Sequence, residues 1–207
     1  MRKSLLVATT VILVAGTQVW AIPILAGQAA IAAAESEPLN GTLVAGPLET
    51  PMIGTAFDAK VTSWVYENDE SNPYGGLTFV YEIVNSEASR HAIGRFTANG
   101  FSGFLTDLSF AIEQDVTDKV PPATMDRSLD GDVVGFSFVG PPLGPSVLVP
   151  GATSNLLIVQ TDAPDYTTSI GNVINGSIAS GAIYSPIPEP ATMLFLLGGI
   201  GFLLRRR

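Results

Sequence analysis

The chain has 207 residues, a net charge of −9, one histidine and no cysteine. The lack of cysteine excludes disulfide bonds, iron–sulfur clusters, zinc–thiolate sites and cysteine nucleophiles. The acidic balance argues against nucleic acid as a partner, because the chain offers no basic stripe to a phosphate backbone.

The N-terminus has the layout of a secretory signal peptide. The basic pair Arg2-Lys3 precedes an uncharged run over 4–34, and a positive start followed by an apolar segment and small residues is typical of such signals. Two cut positions offer the small residues that signal peptidase requires, one at Val19-Trp20-Ala21 and one at Ala32-Ala33-Ala34. We assign residues 1–34 to the signal and leave the earlier cut open; an uncleaved membrane anchor is the alternative.

The segment 35–185 is predicted to be the exported domain. It carries five basic against eighteen acidic side chains, a net charge of −13. About 150 residues suffice for one hydrophobic core, and an acidic surface suits a soluble domain outside the cell.

The first clear strand signal lies at 55–66. Phe57, Ala59, Val61 and Val65 alternate with polar or amphipathic residues, and a period of two predicts a half-buried strand. A polar loop over 67–76 separates it from a second strand at 77–84, and the two are expected to pair antiparallel.

Further strands complete an all-β fold. They are expected at 42–45, 92–97, 105–112, 133–139, 155–161 and 173–184, the last with a break at Gly176 or Gly181, and breakers such as Pro121-Pro122 separate them. Seven or eight strands at this spacing predict an antiparallel β-sandwich with Greek-key crossings. A closed barrel is the alternative.

Acidic loops are the candidate cation sites. Asp126, Asp130 and Asp132 flank a glycine that permits a sharp turn, and calcium takes six to eight oxygen ligands. The spacing lacks the later ligands of an EF-hand. We therefore expect no obligatory cofactor, with calcium at this loop as a candidate and solvation of loop tips as the simpler interpretation.

Aromatic residues around the first hairpin form a candidate glycan platform. Trp64, Tyr66 and Tyr74 lie close in sequence, and the phase of the strand places Trp64 and Tyr66 on its polar side. Exposed aromatic rings can stack against sugars, whereas a buried tryptophan usually fills a core. Both interpretations remain open for Trp64.

Catalysis has little support in the sequence. His91 is the only histidine, and no Gly-x-Ser-x-Gly nucleophile motif is present. A glycosidase would need two carboxylates facing each other across a cleft, which a sequence cannot show. We expect no enzyme, with a small secreted hydrolase as a remote alternative.

The C-terminus combines three features in a fixed order. Pro188-Glu189-Pro190 is followed by an uncharged run over 191–204 and by Arg205-Arg206-Arg207. The prolines keep the backbone extended, the apolar run predicts a transient membrane segment, and the arginines predict a stop on the cytoplasmic side. A buried terminal helix is the alternative, since fourteen residues rise only about 21 Å.

This tail, over 186–207, resembles a PEP-CTERM sorting signal. The resemblance implies export across a Gram-negative type of cell envelope and processing at or near 188–190 by an exosortase, a membrane cysteine protease–transpeptidase. Proteins of this group are often associated with extracellular polysaccharide or biofilm matrix. The resemblance concerns where the protein is delivered, and it assigns no function to the domain that precedes the tail.

The sequence therefore predicts a protein of the cell surface or extracellular matrix. Its expected role is structural or adhesive and non-catalytic, with a surface-displayed carbohydrate-binding module as the alternative. The expected partners are the secretion machinery, an exosortase, the membrane through the tail and extracellular polysaccharide.

Overall fold

The computed structural model describes residues 23–35, 39–111, 119–140 and 147–187. Within these ranges the chain forms thirteen β-strands in two sheets and no helix. None of the described residues belongs to a helix that could cross a membrane. The predicted membrane segment at 191–204, Pro188-Glu189-Pro190 and the three terminal arginines lie outside the described residues.

The six-stranded sheet has the order β1-β8-β9-β5-β12-β13, and all its pairs are antiparallel. Its strands are β1 (Ala29–Ile31), β5 (Arg95–Asn99), β8 (Thr124–Arg127), β9 (Val133–Ser137), β12 (Tyr166–Ile174) and β13 (Ile178–Pro186). Because β5 lies between β9 and β12, this sheet depends on pairings between strands that are distant in sequence.

The seven-stranded sheet has β4 at its centre, paired with β3, β10 and β11. Strand β2 pairs with β3 and β6 with β11, and the short β7 runs parallel to β10. Its strands are β2 (Thr42–Ile53), β3 (Asp58–Glu67), β4 (Thr78–Asn85), β6 (Thr106–Ala111), β7 (Lys119–Val120), β10 (Thr153–Ser154) and β11 (Leu156–Thr161).

The hydrophobic core lies between the two sheets. Val61, Phe79 and Leu157 of the seven-stranded sheet and Phe96 and Val173 of the six-stranded sheet are all fully buried in one cluster. Burying a side chain of this kind stabilises the fold by about 1.5–3 kcal/mol, so this shared layer accounts for the packing of one sheet on the other.

A tyrosine ties the core to the last strand. The ring of Tyr81 packs at a tilt on Phe96, with 5.3 Å between the ring centroids. Its hydroxyl donates a hydrogen bond of 2.7 Å to the carbonyl oxygen of Tyr184 on β13. Burial raises the pKa of Tyr81 well above its ordinary value, so this phenol is a neutral donor at any physiological pH.

The two open margins of this sandwich-like fold are covered in different ways. On one side β13 packs against β2, where the hydroxyl of Thr50 donates to the carbonyl oxygen of Ala182 at 2.7 Å. On the other side the segment 23–35 runs from the six-stranded to the seven-stranded sheet, through β1 and a bridge between Ala34 and Phe110.

The predicted fold class is confirmed in its coarse form, because the described residues are all-β and form two sheets. The first predicted hairpin is confirmed as well: β3 and β4 pair antiparallel, and Ala59, Val61 and Val65 are buried as their phase indicates. The strand count differs, since four short strands (β1, β7, β8 and β10) have no alternating pattern of their own. The strand predicted at 173–184 is a hairpin of β12 and β13 turning near Gly176, whose φ is 64°.

Candidate functional site

The outer face of the seven-stranded sheet carries two neighbouring rows of side chains, which we call the aromatic face. The strand register defines both rows. The first row is Trp64, Val80, Ile158, Ser109. The second row is Tyr66, Thr78, Gln160, Asp107.

Only part of the aromatic face is accessible. Val80 and Ile158 are each 1% exposed, and Thr78 and Gln160 are equally buried although they point away from the core. Trp64 and Tyr66 are half-buried neighbours at one end of the two rows, and Asp107 is half-buried at the other end. The tryptophan therefore lies on the outer face, and it presents part of its ring together with Tyr66.

A close approach of backbone fixes the position of Trp64. The register between β2 and β3 shifts near residues 43–48, where Gly46 has a φ of 105°. A Cβ atom at Gly46 would lie 3.0 Å from Trp64 Cδ1 and 2.7 Å from the carbonyl oxygen of Ser63. Only glycine fits this φ and this contact without strain, so the irregular β2 supports one edge of the indole.

The loop between β3 and β4 folds over the second row. Asp69 is 5% exposed, and one carboxylate oxygen accepts from the hydroxyl of Thr78 at 2.8 Å. Its other oxygen accepts from the hydroxyl of Ser71 at 2.8 Å, and that hydroxyl accepts from the amide of Gln160 at 2.9 Å. The sequence predicted a polar loop here, and the structure shows that hydrogen bonds hold this loop to the sheet.

Tyr74 belongs to this loop and lies away from the other two aromatic residues. Desolvation raises the pKa of Tyr74 to about 12, with further contributions from the charges of Asp107 and Asp162. Of these two carboxylates, Asp107 is the far end of the second row, three strand spacings or about 14 Å from Tyr66. Of the three aromatic residues predicted as a platform, the strand register brings together Trp64 and Tyr66.

Asp107 is the carboxylate of the aromatic face, and its pKa is shifted upward. Burial raises the pKa of Asp107 to about 6, the backbone amide of Leu108 opposes this shift, and the charge of Glu35 adds to it. Nearby, Asp162 accepts a hydrogen bond of 2.9 Å from the backbone amide of Leu105. Asp107 was not among the residues predicted from the sequence, although the alternation around Leu108 and Phe110 places it on the face opposite the core.

Two of the three aspartates proposed as calcium ligands, Asp126 and Asp130, already accept hydrogen bonds from side chains of the domain. Asp126 forms a two-point ion pair with Arg95, at 2.5 and 2.7 Å. Asp130 accepts from the hydroxyl of Ser128 and from the backbone amide of Asp132, and these hydrogen bonds lower the pKa of Asp130. Both oxygens of Asp126 already have a cationic partner, so calcium would have to displace Arg95.

Other candidate chemistry is sparse in the part of the chain that the structure describes. There, no group of three or more His, Asp or Glu side chains is arranged to hold a metal ion. His91 is exposed on a turn after β4. An open hollow of about 230 Å³ lies between Pro51, Lys60 and Val84, which is below the roughly 300–1,000 Å³ of typical ligand pockets.

The comparisons with known proteins concern the tail alone. The family model of the PEP-CTERM protein-sorting motif matches residues 186–207, which confirms the resemblance found in the sequence. No curated protein and no solved structure matches the chain significantly. The motif indicates an exported bacterial protein that is sorted to the cell surface and processed by an exosortase at the membrane.

Proposed function

We propose that the chain is a non-catalytic structural component of the cell surface or extracellular matrix of a Gram-negative type of bacterium. The observation that carries this proposal is the position of the sorting motif. It begins at Pro186, the last residue of β13, and the next backbone amide, of Ile187, still donates to the carbonyl oxygen of Asp165 at 3.2 Å. The folded domain is therefore joined to its sorting tail without a spacer.

The surroundings of the carboxylates support a non-catalytic role. Asp69, Asp126 and Asp130 all accept hydrogen bonds from neighbouring side chains of the same domain. A hydrolase of the glycosidase type would instead need two carboxylates directed into an open cleft. The half-buried acid Asp107 lies beside the loop that folds over the second row, so its raised pKa has a structural cause.

Fractionation of the native host tests the structural role. The wild-type protein is expected in the cell-surface or matrix fraction, and a Glu189→Ala variant is expected to be depleted from it, because the altered residue stands between Pro188 and Pro190 of the sorting motif. A Glu87→Ala variant, altered at an exposed acid of the folded domain, serves as the matched control. Wild-type protein found free in the culture medium or in the cytosol would overturn the proposal.

Incubation of the purified mature protein with extracted matrix polysaccharide tests the non-catalytic part. We expect no increase in reducing ends over time. A steady release of reducing ends, abolished by Asp107→Asn, would instead establish a hydrolase.

A carbohydrate-binding module is the second candidate, and one observation favours it. Trp64 and Tyr66 are adjacent and partly accessible on the outer face, supported by Gly46 from behind. A pair of stacked aromatic rings contributes roughly 0.5–1.5 kcal/mol beyond simple burial, and a sugar contact of similar size would suit weak binding to a polymer with many repeats.

Polysaccharide pull-down separates the two candidates. For a binding module, Trp64→Ala should lose most of its retention on the host's own polysaccharide while keeping its cooperative unfolding. Ile178→Ala, at an exposed apolar position of the other sheet, should be retained like wild type. Equal retention of both variants would remove the glycan interpretation.

A further inference from the structure

The segment 23–34, which precedes the predicted domain, is part of the folded structure together with Glu35. Strand β1 pairs antiparallel with β8 from Ala29 to Ile31. Ile24 is 7% exposed and belongs to the hydrophobic core, and its backbone amide donates to the carbonyl oxygen of Thr106 at 2.9 Å. An uncharged stretch that looks like signal sequence is therefore built into the domain.

This segment also connects the two sheets. On the six-stranded side, the amide of Ala32 donates to the carbonyl oxygen of Ala123 at 3.1 Å. On the seven-stranded side, the amide of Phe110 donates to Ala33 at 3.2 Å, and the amide of Glu35 donates to Phe110 at 2.8 Å. Without these residues the backbone groups of β8 and β6 on this margin would lose their partners.

A buried arginine holds the start of the segment in place. Arg127 is 8% exposed, and its guanidinium donates to four carbonyl oxygens: Ile24 at 3.3 Å, Phe101 at 2.7 Å, Phe104 at 2.8 Å and Gly131 at 2.9 Å. Desolvation lowers the pKa of Arg127 from its ordinary value. Removal of Ile24 would withdraw one acceptor and open this cation to solvent.

We propose that signal peptidase hydrolyses the peptide bond between Ala21 and Ile22, so that the mature protein keeps the segment 23–35. This hydrolysis consumes one water molecule. Its oxygen joins the carbonyl carbon of Ala21 to form the new carboxylate, and a proton goes to the nitrogen of Ile22 to form the new amine. Val19 and Ala21 provide the small residues at the third and first positions before the cut. A cut after Ala34 would instead discard β1, Ile24 and one acceptor of Arg127.

N-terminal peptide mapping of the protein isolated from its own host tests this proposal. Wild-type protein should begin at Ile22, and peptides that span 23–35 should be recovered from the mature form. An N-terminus at Glu35, at Met1 or at any position within 23–34 would overturn it.

Two matched variants locate the cut independently. Ala21→Phe places a bulky ring next to the proposed scissile bond and should cause loss of the Ile22 N-terminus, with accumulation of the precursor. Ala34→Phe makes the same change at an exposed residue before the alternative cut and should be processed like wild type. The reverse pattern, or normal processing of Ala21→Phe, would contradict the proposal. These experiments measure only where the mature N-terminus lies. Their result is therefore independent of the fractionation experiment that tests the structural role.

Discussion

The buried guanidinium of Arg127 provides the sharpest test of the fold. Methionine has a similar length and no charge, so Arg127→Met removes the donor while filling most of the space. Three of the four hydrogen bonds are 2.9 Å or shorter. A hydrogen bond to a charged group contributes about 1.5–3 kcal/mol, and relief of the desolvation of the cation returns several kcal/mol. We expect a net loss of about 3 kcal/mol in the free energy of unfolding.

Urea-induced unfolding of the mature protein measures this loss. Trp64 is the fluorescent reporter, because the other of the two tryptophans, Trp20, lies in the predicted signal peptide. For a domain of this size, 3 kcal/mol corresponds to roughly 6–12 °C in melting temperature. Arg90→Met is the control at an exposed arginine and should change stability by no more than about 0.5 kcal/mol. If Arg127→Met were as stable as this control, the hydrogen bonds of Arg127 to the four carbonyl oxygens would make no net contribution to stability.

Three further predictions concern the loop over the aromatic face, the carboxylate of Asp107 and the ion pair of Asp126 with Arg95. Gly76→Ala should lower the free energy of unfolding by about 2 kcal/mol or more, because its Cβ would lie 2.4 Å from the backbone of Asp162. Thermal unfolding should show a smaller loss of stability for the control Gly75→Ala, where only the positive φ is unfavourable. Asp107→Asn should be more stable than wild type at pH 7 by about 1 kcal/mol after allowance for solvent screening. Asp126→Asn should lose at most about 1 kcal/mol, because its partial exposure weakens the pair with Arg95, and added calcium should leave the melting temperature of wild type unchanged.

The sign of the Asp107 effect follows from the direction of its shift. Burial raises the pKa of Asp107 in the folded protein from 3.8 to about 6. The folded protein therefore binds the proton of this carboxyl more tightly than the unfolded chain does. The contribution to stability is complete below pH 4 and is lost as the pH rises through 6. Unfolding free energies measured across this window should slope downward in wild type, and this slope should be shallower in Asp107→Asn. An identical slope in both proteins would contradict the assignment.

The sequence was most informative where a local pattern determines structure. The alternation around Ala59, Val61 and Val65 predicted both β3 and its buried face, because every second side chain of a strand points the same way. The phase also placed Trp64 and Tyr66 on the same, polar side of the strand, although it left open whether Trp64 fills the core. The sorting tail was recognisable because its order of residues is itself the signal.

Features that depend on distant partners were not predictable in this way. Strand β8 contains Asp126 and Arg127, and neither residue suggests a paired or buried position until Arg95 and the surrounding carbonyl oxygens are in place. Likewise, the sequence at 67–76 indicates a polar loop. Its attachment to the sheet depends on Thr78 and Gln160, which form hydrogen bonds with Asp69 and Ser71. Strand β1 was hidden because an apolar edge segment and a signal peptide have the same composition.

Delivery to the surface through the tail is the central claim, and the C-terminus of the mature protein tests it most directly. Mass spectrometry of protein isolated from the cell envelope should place the C-terminus at or near 188–190, with no peptide from 191–207. A mature protein that still ends in Arg207 would contradict the account.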